Sequence, residues 1–272
     1  MKKIYLSISI IVLLLIIGCS NPTITSDNKQ TVPVVEEKSI DYKLAELIAE
    51  NRINEMVYSK TTTWTKQSKI VKGYPVYTPG IKEAAYYEFK VMTDDKDAGY
   101  ILVSVTQNDV EIPEISENGI TLTEQYQQKT GLSEIEVVRY NWFESYAQKK
   151  IEGDKFTNPN VIAESRNYGI VKVEQQEQKE ISKQYYEKNL SYALDVVNNK
   201  CVSMYEKEDL NKYYSQKEQQ TSYLKSIVSN EITRGNPTPP PRIEEAKDSL
   251  RNSSGYISTY GQYILRVGIS LI

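Results

Sequence analysis

An α+β fold is expected for this chain: a small antiparallel sheet with a packed N-terminal helix, followed by a largely helical C-terminal half. Three observations predict it. Apolar residues recur at helical spacing after Asp41, β-prone runs separated by polar turns fill residues 69 to 115, and a Gln-, Glu- and Lys-rich stretch from about 174 to 232 reads as helix.

The chain opens Met1-Lys2-Lys3, runs through Ile10-Ile11-Val12-Leu13-Leu14-Leu15-Ile16-Ile17 and continues Gly18-Cys19-Ser20-Asn21. Two lysines, a short apolar core, a small residue and then cysteine have the layout of a bacterial lipoprotein signal. The apolar stretch is too short and too near the start for an ordinary spanning helix. Cleavage before Cys19 would leave a thiol to carry lipid such as palmitate, tethering the chain to the outer side of a membrane. A plain secretory signal or an uncleaved anchor is the alternative. Residues 19–40, polar around Pro22 and Pro33, read as a flexible tether.

From Asp41 the pattern changes. Leu44, Leu47, Ile48 and Val57, with Tyr42 and Ile53, fit one helical face capped by Ser39 or Asp41 and ending near Ser59. Lys69 to Tyr77 is β-prone and Thr78-Pro79-Gly80 is a turn signal. Ala84 to Met92 alternates as a strand, with Tyr87, Phe89 and Val91 on one side. After the polar turn Asp94 to Asp97, the continuously apolar run Tyr100 to Val105 reads as a buried strand. A second turn, Gln107-Asn108-Asp109, leads to Val110-Glu111-Ile112-Pro113-Glu114-Ile115, where Pro113 argues for an edge or a loop. Thr123 to Lys149 is expected to be mostly helical, interrupted at Gly131, because Ile135, Val138, Trp142, Tyr146 and Ile151 fall at helical spacing. Asn158-Pro159-Asn160 breaks it, Tyr168 to Val173 is a short strand, and Glu206 to Asp209 divides the later helical stretch in two. Thr238-Pro239-Pro240-Pro241 is a stiff spacer before a short helix at Ile243–Leu250 and an apolar, β-prone segment from Ser258 to Ile272. No internal repeat is apparent. The expected organisation is a signal at 1–18, a tether at 19–40, an α+β module at 41–150, a mainly helical region at 151–236, and a spacer with C-terminal segment at 237–272.

Composition narrows the chemistry. The chain has no histidine, so Ser-His-Asp and Cys-His mechanisms lack their imidazole, and most catalytic zinc and haem sites lose their usual ligand. Paired-carboxylate and calcium chemistry survive on composition, but there is no Asp-x-Asp-x-Asp-Gly loop, no phosphate-binding glycine loop and no Gly-x-Ser-x-Gly elbow. No catalytic residue, metal or cofactor is expected. The net charge of −3, which becomes −5 without Lys2 and Lys3, argues against nucleic acid as a partner. With Cys19 committed to lipid, Cys201 has no internal partner. Its spacing with Leu190, Leu194, Val197 and Met204 makes it one member of a helical core stripe. Tyrosine is abundant, 22 against 3 phenylalanines, which reads as tyrosine standing in for phenylalanine in the core rather than as a stacking surface.

Certain segments carry a resemblance. They are Tyr86-Tyr87-Glu88-Phe89-Lys90-Val91, Ala98-Gly99-Tyr100-Ile101-Leu102-Val103-Ser104, Ile112-Pro113-Glu114-Ile115-Ser116, Gly119 and a helix opening at Thr123-Glu124. Together with the helix from Asp41 and the strand at Tyr74 to Tyr77, they make roughly residues 41–150 resemble the prodomains of streptopain-type, papain-fold bacterial cysteine peptidases and the free-standing inhibitors built like them. The chain departs from a complete peptidase of that class, because the histidine base is missing. The resemblance therefore implies an inhibitor that fills a partner peptidase's cleft. The candidate partner-binding loop is Asn108, Asp109, Val110, Glu111, Ile112, Pro113 and Glu114, at the rim of the expected sheet, where edge pairing with an extended segment suits the role. Two alternatives are a non-catalytic scaffold lipoprotein engaging another envelope protein through its helical half, and a truncated peptidase precursor, the latter motivated by the apolar ending at Ile272.

Overall fold

The computed structural model describes residues 30–36, 39–106, 109–167, 169–198 and 207–229. Cys19, Asn108, Cys201, Met204 and everything expected beyond residue 229 lie outside these.

Helix α1, Tyr42–Ser59, starts where a side chain can satisfy its first amides: Asp41 Oδ1 accepts from the Leu44 N–H at 2.8 Å, and Lys60 closes the helix in the left-handed conformation. One face packs Leu44, Ala45, Ile48, Ile53 and Met56 against Phe89, Val91, Ile101 and Val103 of the sheet. Burying each of the larger of these side chains contributes roughly 1.5–3 kcal/mol relative to exposure. Helix α1 is apolar on more than one side because it is sandwiched. Helix α4, Lys207–Ser229, lies along its outer face, with Thr221 Oγ1 donating to Leu47 O and Lys225 paired with Glu50 at 2.6 Å.

The strands are β1 (Lys69–Tyr77), β2 (Tyr86–Thr93), β3 (Lys96–Ser104), β4 (Glu114–Ser116), β5 (Ile135–Arg139), β6 (Ser145–Lys149), β7 (Val161–Arg166) and β8 (Gly169–Lys172). They form one sheet in the order β4-β3-β2-β1-β5-β6-β7-β8. Each half is an antiparallel meander; the halves join through one parallel seam, Val76 opposite Val137 and Tyr77 opposite Val138. Each meander follows a helix, α1 in the first half and α2 (Leu122–Thr130) in the second. The topology thus repeats where the sequence does not. The helices cover opposite faces: α1 sits over Phe89 and Val91, whereas Tyr126 of α2 packs with Val76, Val137, Ala147 and Ala163 on the other side. Helix α3, Gln178–Asn198, returns to the first face and packs Ile181, Tyr185 and Ala193 on Val138, Tyr146 and Val161.

This corrects the expected architecture. The sheet is not small and antiparallel but mixed and eight-stranded, and the region after residue 131 is not largely helical: it supplies four strands before α3 begins. Helix α2 stops at Thr130, with Gly131 in the left-handed conformation as its cap, and residues 135–149 form the β5–β6 hairpin. The physical reason is burial on both faces. Val137 points to α2 and Val138 to α3, so both are buried and the strand loses the alternation that would distinguish it. Polar residues within these strands are paired across the ladder; Gln148 Nε2 donates to Glu136 Oε2 at 3.1 Å. Strand β7, not foreseen, has the same continuous burial over Val161–Glu164. On α3 the buried stripe is Ile181, Tyr185, Asn189 and Ala193, and Leu194 of the expected stripe is exposed.

One carboxylate joins the two halves. Glu88 of β2 points to the face opposite α1, fully buried, and receives the N-terminus of α2. Its Oε1 accepts from the Leu122 N–H at 3.0 Å, and its Oε2 accepts from the Thr123 N–H at 3.0 Å and Thr123 Oγ1 at 2.8 Å. A capping box, Thr121 with Glu124, satisfies the next amides. Burial pushes the Glu88 carboxyl above its ordinary range, and the three donors oppose that push. Removing the carboxyl would strand all three donors. Glu88→Ala is expected to lower unfolding free energy by about 3 kcal/mol, with Glu88→Gln intermediate, as read by urea denaturation. A loss below about 1 kcal/mol for the alanine variant would contradict this role.

Candidate functional site

The loops β1–β2, β3–β4, β5–β6 and β7–β8 share one end of the sheet, as the strand pairings require. The β3–β4 loop contains the residues expected to bind a partner, and the structure ties its acids to four separate elements. Asp109 Oδ2 accepts from the Tyr86 hydroxyl of β2 at 3.2 Å, while Oδ1 accepts from the Val110 N–H at 2.8 Å. Glu111 pairs with Lys217 of α4 at 3.3 Å, and its carbonyl accepts from the Ser104 N–H at 3.0 Å. Ile112 packs into the α1 core and Pro113 is buried. Glu114, the first residue of edge strand β4, accepts from the Tyr100 hydroxyl of β3 and pairs with Arg139 of β5 at 2.9 Å.

That last contact reveals the shape of the sheet. Three strands separate β4 from β5, yet Glu114 and Arg139 touch, so this half curls into a trough lined by Tyr86, Glu88, Tyr100, Leu102 and Arg139. Close approach at the outer edge needs Gly99: with φ at +113°, a Cβ there would meet Ser116 O at 1.9 Å. The edge strand and its loop are therefore held tightly against β3.

Arg139 is itself buried, and it makes a second contact. Its guanidinium lies over the Trp142 ring at 5.5 Å to the centroid, linking the β3–β4 loop to the tip of the β5–β6 hairpin. The tip, Asn141-Trp142-Phe143-Glu144, is built by local hydrogen bonds: Tyr140 N–H donates to Glu144 O at 2.9 Å and Phe143 N–H to Asn141 Oδ1 at 2.9 Å. Ser165 Oγ of β7 donates to Phe143 O at 2.9 Å, and Lys188 of α3 pairs with Glu144. Trp142 is 54% exposed and Phe143 75% exposed. The sequence places Trp142 at helical spacing with Ile135, Val138 and Tyr146; the β5–β6 hairpin puts it at the surface. Arg139, Trp142 and Phe143 were missed as site residues. The available signal was Asn141, an Asx-turn former, between a β-prone run and two adjacent aromatics.

The abundant tyrosines do more than replace phenylalanine. Tyr126 donates to Ser145 O at 2.9 Å, Asn189 of α3 bonds Tyr140 and Tyr146, and Tyr86 and Tyr100 bind the loop acids. Among the described residues no cluster of histidine, cysteine and carboxylate side chains could hold a metal ion, and no helix is long and apolar enough to cross a membrane. Comparison with protein-family models, curated proteins and solved structures found no match to this chain.

Burial pushes the Asp109 carboxyl above its ordinary value of 3.8, against the opposing effects of the Val110 amide, the Tyr86 hydroxyl and the Arg139 charge. An acid whose folded pKa is raised contributes stability below its unfolded value and loses it as pH rises through the folded value. Asp109→Asn keeps an acceptor for Tyr86 but removes this titration. Its melting temperature relative to wild type is expected to improve as pH is raised from about 4 to about 7. A difference that stays constant across that range would contradict the assignment.

Proposed function

We propose that this protein is a lipid-tethered, non-catalytic binding protein of the bacterial envelope that inhibits a papain-fold cysteine peptidase by filling its cleft. The observation that carries the reading is the clamped β3–β4 loop: Asp109, Glu111 and Glu114 are held by Tyr86, Lys217, Tyr100 and Arg139, so the loop end is preformed. A segment held at Asp109, Glu111 and Glu114 loses little conformational freedom on docking, which is what a tight inhibitor needs. Two features of the sequence agree with it. The lipobox-like run ending at Cys19 would place the domain at the membrane surface, and the absence of histidine removes the usual base for a peptidase mechanism of its own. The resemblance of residues 41–150 to streptopain-type prodomains names the partner class.

Purified protein lacking residues 1–18 is expected to slow peptide hydrolysis by a mature streptopain-class peptidase at micromolar concentration or below, competitively with substrate. No inhibition at micromolar concentration would overturn the reading. The tether is tested separately: Cys19→Ala should abolish palmitate labelling in a bacterial host and move the protein out of the membrane fraction. Continued labelling of the variant would place the lipid elsewhere.

A further inference from the structure

The β5–β6 tip carries two large exposed apolar rings, Trp142 and Phe143, at the loop end. Both rings stay largely in solvent in the free protein. The tip is also rigid. The Asx turn at Asn141, the Tyr140–Glu144 bond and the Ser165 bond to Phe143 O fix its backbone, while Arg139 holds the Trp142 ring from beneath. Tryptophan beside an arginine is among the pairings enriched where binding energy concentrates between proteins, and phenylalanine is enriched at such interfaces.

Two occupants suit a convex apolar tip: a concave cleft on a protein, or the interfacial layer of a bilayer. The charges around the tip favour the first. Arg139 is paired with Glu114, Lys188 with Glu144 and Arg166 with Glu164. Attraction to anionic headgroups needs an uncompensated basic patch, and these three cations are each matched by a carboxylate. Finally, the tip is continuous with the clamped loop through Arg139, which touches both Glu114 and Trp142.

We propose that Trp142 and Phe143 enter an apolar cleft of the peptidase partner as the principal anchor of the complex, with the Asp109–Glu114 loop seated beside them. This rests on the inhibitory reading above and adds to it where the binding energy lies.

The test compares wild type, Phe143→Ala and the double variant Trp142→Ala/Phe143→Ala for binding to a streptopain-class peptidase with its active-site cysteine replaced, by titration calorimetry. Tyr58→Ala, which removes an exposed ring at the far end of α1, is the control. Thermal unfolding of each variant checks the fold. The expected result is about tenfold weaker binding for Phe143→Ala and about a hundredfold for the double variant, with Tyr58→Ala unchanged. Wild-type binding with undiminished affinity in both tip variants would overturn the anchor and leave the inhibitory reading standing. No binding by wild type would remove that reading, and this inference with it. Unlipidated wild type is also sedimented with vesicles of phosphatidylethanolamine and phosphatidylglycerol. Co-sedimentation that is lost in Phe143→Ala would assign the tip to the bilayer and overturn the proposal.

Discussion

The buried carboxylate of Glu88 is the contact on which the arrangement of this fold depends. It stands on β2, in the first meander, and accepts the N-terminal amides of α2, which begins the second. Because the side chains of a strand alternate, Phe89 faces α1 while Glu88 faces the opposite side. The same strand therefore assigns one helix to each face. With α2 seated on Glu88, β5, which follows it in sequence, lies beside β1 in a parallel seam defined by two residue pairs. The partial positive charge of the helix N-terminus and three donated hydrogen bonds make a buried carboxylate tolerable there.

The first half is also curled on the same face. With α2 anchored over β2, strand β5 emerges with Arg139 directed toward the trough, where it meets Glu114 at the outer edge. The acids of the β3–β4 loop then find partners on β2, β3, β5 and α4, and the loop becomes a fixed surface rather than a connector. Helix α4 completes this through Lys217 while it covers the outer side of α1. This chain of contacts preforms a surface with internal charge pairs and hydroxyls, ending in two exposed aromatics.

Much of the first half was legible in the sequence. Of the two candidate caps, Ser39 and Asp41, the second caps α1; β1 runs over the span Lys69–Tyr77 that its β-prone residues marked; and the segment around Pro113, expected at an edge or in a loop, is a loop from which edge strand β4 begins one residue later. Local signals sufficed because the first meander has one face under α1 and the other more polar. The second half was misread because α2 and α3 cover both faces, so Val137, Val138, Tyr146 and Ala147 are all buried and the period of two disappears. Chance spacing of Ile135, Val138, Trp142 and Tyr146 then imitated a helix. The site was only half visible for a different reason. Its loop could be located from turn residues, but the partners that hold it are distant in sequence, as with Lys217 and Glu111, 106 positions apart. No local pattern encodes such a pair.

The central claim is that the loop end is ordered before any partner arrives. Hydrogen exchange of the amides across residues 109–116 and 139–145 in the free protein tests it most directly, because the clamp predicts slow exchange already in the free state. Little further slowing of the Val110 and Phe143 amides should follow when the peptidase is added. Exchange of these segments at unfolded-chain rates in the free protein, with protection appearing only in the complex, would contradict the account.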